Sequence, residues 1–215
     1  KDKAGKQPIE PGDVCWADLN NDGVINNLDR VKVGNLFPTV TGGFSTTLGY
    51  KDFSLYARFD YALGHTLYND LAARSLGQYQ GSFNIIDMVK DSWSETNQDT
   101  DIPKFYYADQ LSKKNITRSN NGLTAVDNNS SRFYEKGDYL ALREITLTWN
   151  LPKKWINKAL MSNASVYVTG QNLFYITGYT GVSPEPAVDT TYGQGLDNGR
   201  YPTPKTVLLG LSVTF

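Results

Sequence analysis

The 215-residue sequence has one cysteine, Cys15, and one histidine, His65. A lone cysteine rules out an internal disulfide framework. A lone histidine rules out any multi-histidine metal site and leaves a Ser-His-Asp triad a poor reading. No Walker loop, GxGxxG run or paired-cysteine zinc motif is present. No apolar run approaches the roughly 18 residues of a membrane-spanning helix. That excludes α-helical membrane proteins but not a membrane β-barrel, whose strands are short and only half apolar. Charge is equally scarce. Lys plus Arg is 21 and Asp plus Glu is 22, a net charge of −1, with a pI near 5.9 and a mean hydropathy of −0.44. Neither nucleic acid nor a polybasic membrane contact is expected from such a balance. The opening Lys-Asp-Lys-Ala-Gly-Lys has no basic-then-apolar leader pattern and reads as the interior of a longer protein.

Aromatics and glycine are abundant: 14 Tyr, 9 Phe, 4 Trp and 19 Gly. This is the chemistry of strands joined by many turns. Five segments alternate with period two. Over 43–50, Phe44, Thr46, Leu48 and Tyr50 share a face. Over 53–63, Phe53, Leu55, Ala57, Phe59 and Tyr61 do so. Segment 138–150 carries Leu140, Leu142, Ile145, Leu147 and Trp149; segment 164–173 sets Val166 and Val168 against Tyr167, Thr169 and Gln171. Segment 205–215 sets Val207, Leu209, Leu211, Val213 and Phe215 against Thr206, Gly210, Ser212 and Thr214.

The connections alternate in length. Tyr50-Lys51-Asp52-Phe53 is a tight turn, and a long excursion runs from Gly64 to about Gly137. A short link with one helical turn at Trp155–Leu160 follows, then a second excursion from about Tyr175 to Pro204. Structureless loops of that length are uncommon in compact soluble domains and normal on one side of an outer-membrane barrel. An 11-residue strand tilted by about 45° spans about 26 Å, close to the apolar band of roughly 25 Å. Aromatics near strand ends (Tyr50 and Phe53, Tyr139 and Trp149, Phe174 and Tyr175, Phe215) suit interfacial girdles; the alternative is that they fill a β-sandwich core. The expected fold is all-β: about five strands of an antiparallel up-and-down transmembrane barrel with long extracellular loops. Its turn-side ends are Tyr50/Phe53, Asn150–Asn163 and Phe215, opposite loops 64–137 and 174–204. Since a membrane barrel needs at least about eight strands, these form part of a larger wall.

Asp18-Leu19-Asn20-Asn21-Asp22-Gly23-Val24-Ile25-Asn26-Asn27-Leu28-Asp29 is the sharpest local motif. With Asp18 as position 1, Asn20, Asp22, Val24 (by its carbonyl), Asn26 and Asp29 fall at positions 3, 5, 7, 9 and 12, and Gly23 at the sharp turn of position 6. These are the oxygen-ligand positions of a Ca²⁺ loop, and aspartate at position 12 is similar to the dockerin type. The competing reading is a metal-free Asn/Asp-rich turn. Cys15, beside Trp16, reads as a small buried residue. His65 sits where strand 53–63 leaves the membrane. Asp87, Asp91, Glu95, Asp99 and Asp101 read as a solvated face, and Asn115-Ile116-Thr117 matches a glycosylation sequon.

Together these stretches resemble a known family. Pro11-Gly12-Asp13 followed by Asp18 to Ile25 resembles the segment before a late strand in SusC/RagA-type TonB-dependent outer-membrane transporters of Bacteroidota. Gly34-Asn35-Leu36-Phe37-Pro38, then Asp138 to Leu147, then Val166 to Phe174, and finally Tyr201-Pro202-Thr203-Pro204-Lys205 before the terminal Phe215, fit the same family in the same order. The resemblance implies the C-terminal part of the barrel: residues 1–42 as an extracellular segment with the calcium-type loop and 43–215 as strands and loops. It implies import of oligosaccharides or peptides, a SusD-like surface lipoprotein as partner, energy from TonB through parts of the transporter other than this chain, contact with outer-membrane lipid, and no enzymatic chemistry. Tyr179, Tyr192, Tyr201 and the 64–137 loop are candidate aromatic platforms for sugars; the alternative is surface packing against the partner. The alternative is a soluble calcium-stabilised β-domain of a cell-surface adhesin or carbohydrate-binding module.

One strand breaks its own pattern. Leu140 and Leu142 have even numbers, whereas Ile145, Leu147 and Trp149 have odd ones. Either a bulge at Arg143–Glu144 brings all five to one face, or the strand stays regular with Arg143 outward at the headgroup level and Glu144, Thr146 and Thr148 facing the lumen. The regular strand is the expectation, since it needs no irregularity.

Overall fold

In a computed structural model, the structure describes residues 10–15, 17–23, 27–73, 75–76, 87–105, 130–185, 195–199 and 201–215. In chain order the strands and helices are β1 (Val40–Tyr50), β2 (Phe53–Leu63), β3 (Thr66–Asn69), α1 (Asp70–Ala73), β4 (Tyr134–Lys136), β5 (Tyr139–Asn150), α2 (Lys153–Ile156), β6 (Asn163–Thr177), β7 (Leu196–Asp197) and β8 (Thr206–Thr214). They divide between two units, one built on 35–66, 136–186 and 200–215, the other on 1–34, 67–135 and 187–199.

The first unit is an antiparallel sheet in the order β1-β2-β5-β6-β8. It is an open sheet, with β1 and β8 as its edges. Each of the five alternating segments forms one of its strands, and β1 and β6 run further than their patterns suggest. Pairing sets both ends of the sheet. Val40 lies opposite Leu63, Ala62 opposite Tyr139, Tyr139 opposite Thr177 and Gln171 opposite Thr206 at one end. At the other, Tyr50 faces Phe53, Asn150 faces Ser165 and Asn163 faces Thr214. The Ser162 N–H donates to the Thr214 carbonyl at 2.8 Å, so the chain terminus lies on the short-turn side and the long excursions leave from the other, as the connection lengths predict. The turn at Lys51 takes a left-handed φ of 53°.

The second unit shows that the 64–137 excursion is not structureless. Tyr68, Ala73, Leu76, Ile102 and Phe133 form a buried cluster, with Val14, Val89, Tyr134 and Leu196 packed against it. Tyr68 meets Phe133 edge-on at 6.3 Å and Tyr134 at 4.8 Å. A small sheet in the order β4-β3-β7 runs beside this cluster, its β3–β7 pair parallel. The segment around Gly12 joins through the Lys104 N–H, which donates to the Gly12 carbonyl at 2.8 Å. Burial pushes the Tyr134 phenol above its ordinary range, partly opposed by the Arg30 charge.

The expectation of a regular β5 is wrong. Arg58 pairs with Glu144 and the next residue, Phe59, with Leu142, so Arg143 is an extra residue on β5. On the other side Leu142 pairs with Phe174 and Glu144 with Gln171, which puts an extra residue on β6 at Asn172–Leu173; Asn172 takes a φ of 52°. Cross-strand partners share a face. Leu140, Leu142, Ile145, Leu147 and Trp149, opposite Tyr61, Phe59, Ala57, Leu55 and Phe53, therefore lie on one side. Magnitudes explain the choice. A bulge gives up a ladder bond of about 1 kcal/mol. A regular strand would turn Arg143 to the apolar face beside Ile145 and forfeit charged hydrogen bonds of about 1.5–3 kcal/mol each.

Candidate functional site

The five-stranded sheet has two chemically distinct faces. One carries Phe44, Leu48, Phe53, Leu55, Phe59, the five apolar residues of β5, then Val166, Val168, Phe174 and Ile176, then Val207, Leu209, Leu211 and Val213. Leu209 is 81% exposed and Val207 72%, so none of the described residues covers them. The opposite face is polar. Thr146 and Thr169 bond through their hydroxyls at 2.8 Å, and Ser54, Arg58, Glu144, Tyr167 and Gln171 lie on it. Glu144, Thr146 and Thr148 thus lie on the polar face, opposite to Ile145, Leu147 and Trp149. At the short-turn end Phe53 stacks on Trp149 at 6.0 Å and Trp149 meets Trp155 at 5.9 Å, while Tyr50 and Phe215 are exposed. An exposed apolar wall with an aromatic rim and a polar reverse is what a membrane β-barrel presents.

At the loop end, two of the expected girdle aromatics serve another purpose. Tyr139 and Tyr175 lie on the polar face, edge to face at 5.7 Å. The bulge turns Arg143 to the same side. Its Nε donates to Asp60 Oδ2 at 2.9 Å, its Nη1 to the Tyr175 hydroxyl at 3.3 Å, and its Nη2 to Glu185. Tyr175 in turn donates to Glu185 at 3.0 Å. Arg143 does not face outward as expected; its side chain is only 15% exposed and pairs with Asp60 on the polar face. His65 follows β2 as expected but is buried, at 1% exposure. Its Nε2 lies 2.9 Å from the Pro184 carbonyl. Nothing in the sequence pairs Arg143 with Asp60 and Glu185, which are 83 and 42 residues away.

The calcium-type loop is partly described. Gly23, at φ 87°, donates its N–H to Asp18 Oδ2 at 3.0 Å. Asp29 Oδ1 accepts from the Leu19 N–H at 2.8 Å and from the Asn20 N–H at 3.4 Å. Asn20 and Asp22 bond to each other. Positions 1, 3, 5 and 12 are therefore folded back on one another; Val24 and Asn26 lie outside the described residues. Among the described residues no group of three or more His, Cys, Asp or Glu side chains is placed to hold a metal. Cys15 is exposed, not buried: the unit's apolar cluster is closed by Val14, its neighbour. Asp87, Asp91, Glu95, Asp99 and Asp101 are all exposed, the solvated face expected. Asn115 and Tyr192 lie outside the described residues. Tyr179 is buried and Tyr201 fully exposed.

Comparison with known proteins bears directly on this wall. No family model matches the chain. TonB-dependent receptor P26 of Formosa agariphila is 32% identical over 217 residues, 98% of this chain and 20% of the relative. TonB-dependent receptor P3 of the same organism is 31% identical over 212 residues, 96% of this chain and 19% of the relative. TonB-dependent receptor SusC of Bacteroides thetaiotaomicron is 26% identical over 216 residues, all of this chain and 18% of SusC. In sequence, this chain is similar to TonB-dependent receptors of the SusC type along nearly its whole length. Among solved structures, the RagAB peptide transporter superposes with a TM-score of 0.63 at 25% identity over 84% of this chain and 17% of that one. The RagAB peptide importer in its closed-closed state gives 0.64 at 24% over 86% and 18%. The five-stranded sheet belongs to an outer-membrane β-barrel, and an exposed apolar face is the one that such a wall turns to lipid. The chain spans about a fifth of the length of the curated relatives it matches.

Proposed function

We propose that this chain supplies C-terminal wall strands and outer loops to an active SusC-like transporter that imports oligosaccharides or peptides across the outer membrane. A SusD-like lipoprotein would cap the loop end, and TonB would supply energy through the rest of the transporter. No bond is made or broken in this reading. The observation that supports it is the two-faced sheet, apolar and exposed on one side and polar on the other, in a sequence similar to receptors of this type along nearly its whole length. The test is uptake. Cells lacking the full-length protein should lose import of one class of labelled oligosaccharide or peptide, and the purified protein should bring a surface lipoprotein with it. Unchanged import of both classes would remove the reading.

We also propose that Asp18, Asn20, Asp22, the Val24 carbonyl, Asn26 and Asp29 hold one Ca²⁺, stiffening the segment ahead of β1. Support comes from an all-oxygen donor set suited to a hard cation and from the hydrogen bonds that already fold Asp18, Asn20, Asp22 and Asp29 together. Calorimetric titration should give a dissociation constant on the order of 10⁻⁴–10⁻³ M. Asp18→Ala with Asp22→Ala should abolish that binding. Equal calcium uptake by the doubly substituted protein would place the ion elsewhere.

A further inference from the structure

The residues after β6 are held to the sheet by two chemically different locks on adjacent positions. Pro184 is buried, and its carbonyl lies 2.9 Å from His65 Nε2. Because a carbonyl only accepts, His65 carries its proton on Nε2 and donates. Glu185 accepts from Arg143 and from Tyr175. The two locks stand on framework elements. His65 is fixed by Tyr139 edge-on at 6.2 Å and by the Gly137 N–H, which donates to the His65 carbonyl at 2.9 Å. Arg143 is fixed by Asp60 on β2 and Tyr175 on β6. Those anchors survive if Glu185 leaves, since the guanidinium keeps Asp60 as its counter-charge. At its start, the segment is anchored by Tyr179, which is buried and whose N–H donates to Thr177 Oγ1 at 3.1 Å.

We propose that Gly178–Glu185 is a latched strap lying on the polar face at the loop end, held by His65 at Pro184 and by Arg143 and Tyr175 at Glu185. Its release exposes this stretch of the wall while the strands stay in place. A preformed seat on three strands and a single removable carboxylate make two discrete positions, latched and free, rather than a continuous drift. This goes beyond the transport reading and does not depend on what is carried.

Hydrogen exchange on the full-length protein in detergent tests it. Glu185→Ala should speed exchange of the amides in 179–185 by about tenfold or more, with β5 and β6 amides at Thr146 and Thr169 unchanged. His65→Leu should do the same, and His65→Gln, which keeps a donor, should restore slow exchange. Glu144→Gln, on the same face but outside the latch, should leave the strap slow. Should a His65 variant fail to assemble, Glu185→Ala decides alone. The proposal is overturned if Glu185→Ala leaves 179–185 as slow as before, if the strands loosen equally, or if Glu144→Gln frees the strap as well.

Discussion

At the scale of single residues, the informative positions are those where one side chain occupies space that another type of residue would need. Gly137 is one. A Cβ placed on it would stand 2.2 Å from His65 Nε2, closer than real Cβ contacts come, and His65 is buried too deeply to step aside. Gly178 is its natural control, because a Cβ there meets nothing within 4 Å. Gly137→Ala should therefore lower the unfolding free energy by about 1–3 kcal/mol, the usual cost of overpacking. Gly178→Ala should stay within about 0.5 kcal/mol of the parent. Denaturant unfolding in detergent, followed by far-UV circular dichroism, reads both; equal effects would mean that the Gly137 contact is relieved by a free shift of the ring. None of this is visible in the sequence, where Gly137 is simply one glycine among 19. His65 is conspicuous there as the lone histidine, but its acceptor lies 119 residues away.

At the scale of elements, period-two alternation read all five wall strands correctly, because a strand with lipid on one side and polar surroundings on the other must alternate. Strand ends were less legible. β6 continues to Thr177, past the alternating segment 164–173, since Asn172 and Leu173 interrupt the pattern where the ladder bulges. The parity break in β5 was equally plain, yet its cause was not. Regularity looked cheaper because Arg143 was weighed only against lipid. Its three partners, Asp60, Tyr175 and Glu185, come from other elements, and they tip the balance toward a bulge. The same limit applies to the excursion 64–137. Tyr68, Ile102 and Phe133 carry no shared period, so their common cluster appears only once the chain is folded.

For the whole molecule, the deciding asymmetry is between the two faces of the sheet, and β8 tests it best because it is an edge strand with simple alternation. Leu209 sits near its middle on the apolar face, opposite Val168, and Ser212 lies on the polar face, opposite Ser165. Both are exposed in this chain, so exposure alone predicts similar tolerance of arginine, as a soluble adhesin-like domain would show. A bilayer distinguishes them. Arginine facing lipid at mid-depth costs about 2–4 kcal/mol, while the same change on the lumen side alters the channel lining and costs little. Leu209→Arg in the full-length protein should therefore shift the folding equilibrium into lipid vesicles by that amount, seen as loss of the heat-modifiable folded band. Ser212→Arg should leave the band intact. Changing to vesicles with a thinner hydrocarbon core should narrow the gap, because Leu209 then lies nearer an interface. Equal losses for the two variants in every bilayer would mean that lipid does not lie against this face.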